Sequence, residues 1–252
     1  MRLFEFGDQP WLPRVLRDGE TAYLAMAYRL LPLARAWADR IIASVQPHHC
    51  VTILDLCSGA GGPLEQIIEE FTARGYRVSV TMSDMYPFGR SRRHPAIHWH
   101  PDPVDARKIP AELAGIRTMF SAFHHFDWEA AHAILENAFR CRSPICIFEA
   151  GAGNLLGVAS MLLVPLNVLA LMPFVRPFRW AYLILTYLIP VLPLMILWDG
   201  FVSMLRIYST DQMRQMVSGL KASDYVWEIG ALRVQRIPGA LPYVIGRPVI
   251  PG

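Results

Sequence analysis

The stretch Val51-Thr52-Ile53-Leu54-Asp55-Leu56-Cys57-Ser58-Gly59-Ala60-Gly61-Gly62 decides how the rest of this chain is read. A short apolar run of this kind is the pattern of a buried strand. It passes without a spacer into a glycine-rich turn, and residues 63–75 follow as a helix ending at a glycine suited to a left-handed cap. Glycine lets the backbone approach a ligand where a Cβ would block it. Strand, glycine turn and helix in that order form the place where an α/β sheet holds a nucleotide-like ligand.

Outward from this stretch the alternation continues. Residues 77–83 and 96–100 read as strands, 109–114 as a short helix and 117–122 as a strand. A helix over 128–141 and a strand over 144–148 follow, the strand ending at Glu149. This rhythm predicts a parallel sheet with helices on both faces. Residues 1–50 read as helical, with Trp11, Leu12, Val15 and Leu16 as a short apolar face and Pro32 as a break. Ser209-Thr210-Asp211 is a helix start. Runs near 225–229 and 241–245 read as an antiparallel pair closing the sheet. The expected fold is α/β: a Rossmann-like, seven-stranded, mostly parallel sheet with an antiparallel last strand, N-terminal helices and an inserted apolar helical hairpin. Four regions result: 1–50 helical, 51–150 the core, 151–208 the hairpin, and 209–252 the C-terminal part of the sheet.

The 252 residues suit one α/β domain with an elaboration. Hydrophobic residues make up 53% and charged residues 18%, and mean hydropathy is +0.28. That balance points to unusual burial or membrane contact. A net charge of +3 does not supply the concentrated basic face that nucleic acid favours, so no nucleic-acid partner is expected. Cys50, Cys57, Cys141 and Cys146 form no CxxC pair and no zinc spacing, and read as buried free thiols in a reducing compartment. His94, His98, His100 and Asp102 read as unrelated groups on a surface strand and loop, with no metal expected. The first residues, with Glu5 and Asp8, lack the basic-then-apolar start of a secretory leader.

The dinucleotide fingerprint requires a third glycine, and Leu64 stands in its place. Asp55 with Gly59 and Gly61, as D-x-x-x-G-x-G, resembles the first motif of class I S-adenosylmethionine-dependent methyltransferases. Asp84 ends the second strand a little over twenty residues after Gly61, and Val104-Asp105-Ala106 follows the third. Phe123-His124-His125-Phe126 follows the fourth strand and is similar to the His-His element of ubiquinone- and menaquinone-type methyltransferases. The resemblance covers roughly 45–150 and 209–246. It departs at Cys57, where the family often has another glycine. It implies S-adenosylmethionine as cofactor, with Asp55, Cys57, Ser58, Gly59 and Gly61 lining the cofactor's amino-acid and ribose portions. Asp84, followed by Met85, would take the ribose hydroxyls, and Asp105 and Ala106 the adenine edge. His124 or His125 would serve as general base, since histidine titrates near neutrality. A D-L-C start also occurs in RNA cytosine methyltransferases, but their nucleophilic cysteine beside a proline has no counterpart at Cys141 or Cys146.

The hairpin contains two uncharged runs, 155–175 and 180–198, joined by Arg176-Pro177-Phe178-Arg179. Each is long enough to span a bilayer. The two arginines oppose a full span under the positive-inside tendency, and Pro165, Pro173, Pro190 and Pro193 break the helices. Three readings stay open: a transmembrane hairpin, a shallow insertion into one leaflet on the cytoplasmic side, and a soluble lid. Arg90, Arg92 and Arg93 would add a basic loop at the same edge. Asp199, Arg206 and Tyr208 border the apolar segment and, with Glu149, are candidate substrate-binding groups; Asp199 and Arg206 lie about two turns apart and suit an ion pair. The expected acceptor is a lipophilic small molecule at a membrane surface. A nicotinamide-dependent oxidoreductase with a degenerate glycine turn and a non-catalytic membrane-bound binding protein are the alternatives. Oligomeric state is not legible.

Overall fold

The computed structural model describes residues 3–46, 48–86 and 94–249. Arg90, Arg92 and Arg93 lie outside the described residues. The sheet has seven strands in the order β3-β2-β1-β4-β5-β7-β6. They are β1 Cys50–Leu56, β2 Arg77–Ser83, β3 Ile97–Trp99, β4 Ile116–Phe120, β5 Ile145–Phe148, β6 Tyr225–Leu232 and β7 Leu241–Pro248. The first five pair in parallel, and β7 runs antiparallel to both β5 and β6. β1 is buried continuously from Ile53 to Leu56, as a central strand covered on both faces requires.

The helices before the insertion are α1 Arg14–Leu30, α2 Leu33–Val45, α3 Leu64–Ala73 and α4 Trp128–Arg140. The insertion carries α5 Leu155–Ser160, α6 Val164–Leu171, α7 Trp180–Leu183 and α8 Val191–Arg206, and α9 Thr210–Val217 follows. On one face of the sheet Trp37, Ile41, Ile67 and Phe71 pack over Ile53, Val80 and Ile245. On the other, Ile134, Leu135, Met213 and Met216 pack over Leu54, Met119 and Ile147. Asp127 caps α4 by accepting from the Ala130 N–H at 2.9 Å. Ser209 and Gln212 close a reciprocal capping box on α9.

Three expectations need correction. Residues 3–13 are not helical; α1 begins only at Arg14. The N–H groups of Phe6 and Gly7 instead donate to the Asp199 carboxylate at 2.7 and 2.8 Å, which holds residues 3–8 as an irregular strap. Of the short apolar face there, Leu12, Val15 and Leu16 pack together into a core, while Trp11 is exposed. Residues 109–114 make a single turn, closed by Leu113 N–H on Pro110 O, rather than a helix; six residues with a proline inside do not offset helix nucleation. All four cysteines are free, but Cys50 and Cys141 are exposed rather than buried.

The hairpin is apolar on both sides. Inward, Val168, Met172, Tyr182, Leu192, Met195 and Ile196 form a third core with Ala22 and Tyr23 of α1. Outward, Leu155, Leu162, Leu166, Trp180 and Leu188 are each more than 60% exposed. Residues Leu155–Phe174 form one helical rod of 20 residues, long and apolar enough to cross a membrane by length and composition, with only 17% of it buried. The second arm, Trp180–Leu188 with Val191–Arg206, bends by 81° at the Pro190 break. Arg179 Nη1 reaches Asp18 Oδ2 at 2.9 Å, so the joint between the arms is tied back onto α1.

Candidate active site

The order of the sheet reverses between β1 and β4, and open α/β sheets bind ligands outside the carboxyl ends of their strands at such a point. Every candidate residue in the core lies at that edge. The glycine turn leaves β1 with Cys57, Gly59, Gly61 and Gly62 all at positive φ, 54°, 49°, 99° and 41°. A Cβ at Gly59 would meet nothing within 4 Å, so glycine is favoured there by backbone angle alone, with open space above the turn. Cys57 adopts the left-handed angle without that freedom, at a cost of roughly 1–3 kcal/mol.

The turn is laced to β2. Ser58 N–H donates to Ser83 O at 3.1 Å, and Ser83 N–H to Ser58 Oγ at 3.2 Å. Both hydroxyls donate to the Asp55 carbonyl, at 2.9 and 2.8 Å. Asp84 follows directly and takes Gly59 N–H on Oδ2 and Tyr86 N–H on Oδ1, each at 2.9 Å. Each carboxylate oxygen keeps lone-pair capacity for a further donor. Met85 beside it is exposed. The Val104 N–H donates to Asp84 O at 2.9 Å, which brings Asp105 and Ala106 to the same edge. Ala106 is buried, and the Asp105 carboxylate grips Arg107 Nε and Nη2 at 2.9 and 2.7 Å. That guanidinium holds its carboxyl below the usual range.

Asp55 is buried, and its Oδ1 accepts from Thr118 Oγ1 at 2.7 Å. Burial raises its pKa to about 7, against the hydrogen bonds of Ser58 and Thr118 and with the nearby charge of Asp84. Burial first, then Asp84, Asp55 and Asp105, push the Cys57 thiol far up, which leaves it without nucleophilic character at neutral pH.

His124 and His125 occupy a 3-10 turn, Phe123–His125, after β4, with ring centroids 4.4 Å apart. Their surroundings differ. His124 is buried; its N–H donates to Glu149 Oε1 at 3.0 Å and its Nδ1 lies 2.8 Å from Glu149 Oε2. Glu149, one residue beyond β5, is itself 1% exposed. The His125 Nδ1 lies 2.9 Å from Asp8 Oδ1 and 3.7 Å from Glu5 Oε2. Desolvation opposes a charge on this ring, but the Asp8 hydrogen bond and the Glu5, Asp8 and Glu149 charges outweigh it and raise its pKa to about 9.

The expected ion pair between Asp199 and Arg206 is not formed; both take partners from the strap instead. Asp199 holds the Phe6 and Gly7 N–H groups and shares a hydrogen bond with Glu20, while Arg206 Nη1 reaches Glu5 at 2.9 Å and Asp8 at 3.3 Å. Arg206 Nη2 also donates to the Leu3 carbonyl. Tyr208 donates to Phe126 O at 2.9 Å and packs its ring on Phe123 and Trp128. Sequence reasoning misses Glu5, Asp8 and Thr118, which the fold brings against His125 and Asp55. Thr118 could have been found as a polar residue at a buried strand position; Glu5 and Asp8 gave no such signal.

No protein-family profile matches the chain, and no curated protein matches it in sequence. Solved structures do. The plantazolicin methyltransferase BpumL, in complex with SAH, superposes with a TM-score of 0.57 at 12% identity, over 96% of this chain and 91% of that one. This chain has a Rossmann-like methyltransferase fold. The small RNA methyltransferase HEN1 shares that fold with a TM-score of 0.50 at 13% identity, over 87% of this chain and 25% of that one. A putative Zn-dependent alcohol dehydrogenase from Rhodobacter sphaeroides reaches only 0.47 at 14% identity, over 85% and 90%, too loose a likeness to carry an argument. In the methyltransferase fold observed here, the reversed β7 and the fully buried Leu64 in place of a third glycine depart from the dinucleotide-binding pattern.

Proposed function

We propose that this chain is a methyltransferase that moves a methyl group from S-adenosylmethionine to a lipophilic or amphipathic small molecule at a membrane surface. The observation that carries this reading is the joint between Asp84 and the glycine turn, a carboxylate bonded to Gly59 N–H beside open space at the sheet's switch point. The residues fit the cofactor. Gly59 and Gly61 allow close approach, Asp84 has acceptor capacity for a ribose diol, and Asp105 and Ala106 flank the adenine position. When bound, S-adenosylmethionine supplies an electrophilic methyl group.

The two histidines divide the remaining work. Glu149 accepts the Nδ1 proton of His124 and so fixes the ring's tautomer and orientation, which suits His124 to the part of a base toward the acceptor. Burial of both groups strengthens that orientation. His125, raised to about 9, is protonated at neutral pH and serves as a charged tie to the strap rather than as a base. Positioning and desolvation supply the rest for an acceptor that is already a fair nucleophile.

The exposed outer face of the hairpin supports the membrane part of the reading, because contiguous apolar surface of this kind marks an interaction site. The Arg179–Asp18 pair favours shallow insertion over a full span, since the joint between the arms stays with the body of the protein. Titration calorimetry with S-adenosylmethionine tests the core of the reading. Saturable binding is expected, weakened about a hundredfold by Asp84→Ala, which removes charge-assisted hydrogen bonds worth roughly 1.5–3 kcal/mol each. Unaltered affinity in that variant would sink the reading.

A further inference from the structure

The His124 side chain is 6% exposed and its partner Glu149 1%, which leaves little of the imidazole for an acceptor to reach. Glu5, itself buried, lies against both histidines: one of its carboxylate oxygens and a ring nitrogen each of His124 and His125 all fall within 4.8 Å of one another. Glu5 belongs to the strap, not to the sheet edge. The strap is held chiefly by side chains. Asp199 takes the Phe6 and Gly7 N–H groups, Trp198 Nε1 donates to Phe4 O at 2.9 Å, Arg206 pairs with Glu5 at 2.9 Å, and His125 Nδ1 lies 2.9 Å from Asp8. Among the described residues, no backbone–backbone bond joins 3–8 to the sheet or to α8. Apolar anchoring is slight: Phe6 packs partly against the third core, while Leu3 and Phe4 are exposed. Water replaces polar contacts of this kind at small net cost, so such a segment opens locally while a packed sheet stays closed.

We propose that residues 3–8 form a removable plug, with Glu5 occupying the acceptor's place beside His124, and that Asp199 and Arg206 are its latch. This rests on the methyl-transfer reading above, which makes His124 the group an acceptor must reach. Release of the strap uncovers the imidazoles, while the Asp55–Asp84 turn keeps bonds of its own that the strap does not share.

The test treats the full chain and its Asp199→Asn variant with diethylpyrocarbonate and follows each histidine by mass spectrometry. His98, exposed on β3, is the internal reference. Alkylation of Cys146, fully buried in β5, reports opening of the sheet itself. In the wild type His124 should react at least tenfold more slowly than His98. The variant should speed His124 about tenfold, as weakening of a charge-assisted hydrogen-bond pair implies, with His98 and Cys146 unchanged. An unchanged His124 rate, or a rise that Cys146 shares, overturns the plug and leaves methyl transfer standing. Titration with S-adenosylmethionine separates the two readings. Affinities within about twofold in both chains support an intact turn beside a moving plug. A wild type that does not bind it overturns the methyl-transfer reading, and the acceptor's part in this inference with it.

Discussion

The two halves of the candidate site are built in opposite ways. The half proposed to hold the cofactor, from Asp55 to Ala106, is made of consecutive strand-and-turn units whose polar groups bond one another over 25 to 28 residues. The half proposed to face the acceptor is collected from the whole chain. His124 meets Glu149 across 25 residues, but Arg206 meets Glu5 across 201, and Asp199 meets Phe6 across 193. The first half is backbone geometry with a few carboxylates; the second is a network of Glu5, Asp8, His125, Arg206, Glu20 and Asp199 beside the His124–Glu149 pair. A ligand shared by many enzymes can be met by local, repeatable geometry. A particular acceptor needs groups that only the finished fold brings together.

The largest expected effect falls on the acceptor half. His124→Ala should lower kcat by about 10²–10⁴-fold, the usual worth of a general base, while leaving the affinity for S-adenosylmethionine within about threefold, since no cofactor contact is assigned to it. Single-turnover methyl transfer and titration read the two quantities separately. Equal losses in both would erase the division between the halves.

The next prediction sharpens it through pH. Burial first, then the charge and hydrogen bond of Asp199 and the charges of Glu5 and Asp8, raise the Glu20 pKa from 4.5 to about 8. Between those values the folded protein holds a proton that the unfolded chain has released, so stability falls as pH rises through that window. Glu20→Gln removes the proton uptake and should flatten the fall, leaving the variant more stable than wild type at pH 8 by on the order of 2 kcal/mol. Chemical denaturation at pH 5 and pH 8 measures it. A wild-type slope that the variant keeps unchanged would mean that the proton sits elsewhere.

The smallest effect on stability concerns the outer face of the hairpin. Leu162→Ser with Leu166→Ser changes residues that are 73% and 63% exposed. Thermal unfolding should move by no more than about 0.5 kcal/mol per site. Sedimentation with anionic phospholipid vesicles should fall roughly tenfold or more, because burying one leucine in an apolar phase is worth about 1.5–3 kcal/mol. Unfolding that shifts strongly while vesicle binding stays put would assign the face to protein packing.

The same contrast explains what could be read from the residues. The 51–62 segment carried its strand, turn and helix in adjacent letters, and Asp84 fell at a strand end that alternation alone locates. The late strands near 225 and 241 were also legible, although β6 and β7 each run on for three residues more. Residues 3–13 were misread because helical spacing among Trp11, Leu12, Val15 and Leu16 said nothing of Asp199, whose carboxylate takes the N–H groups that a helix would have used. Asp199 and Arg206 were rightly suspected as polar groups needing partners, but one helix face was too small a search. His124 and His125 looked equivalent as letters and differ only through Glu149 on one and Asp8 and Glu5 on the other.

The Asp199 clasp on Phe6 and Gly7 also sets an order of events during synthesis. A growing chain can close the Asp55–Asp84 lacing once its first hundred or so residues have left the ribosome, at about 5–20 residues per second. The strap lacks its Asp199 and Arg206 partners until residue 206 has emerged, so for much of translation only His125 is there to hold Asp8. The newborn protein thus completes the turn proposed for the cofactor well before it completes the side proposed for the acceptor.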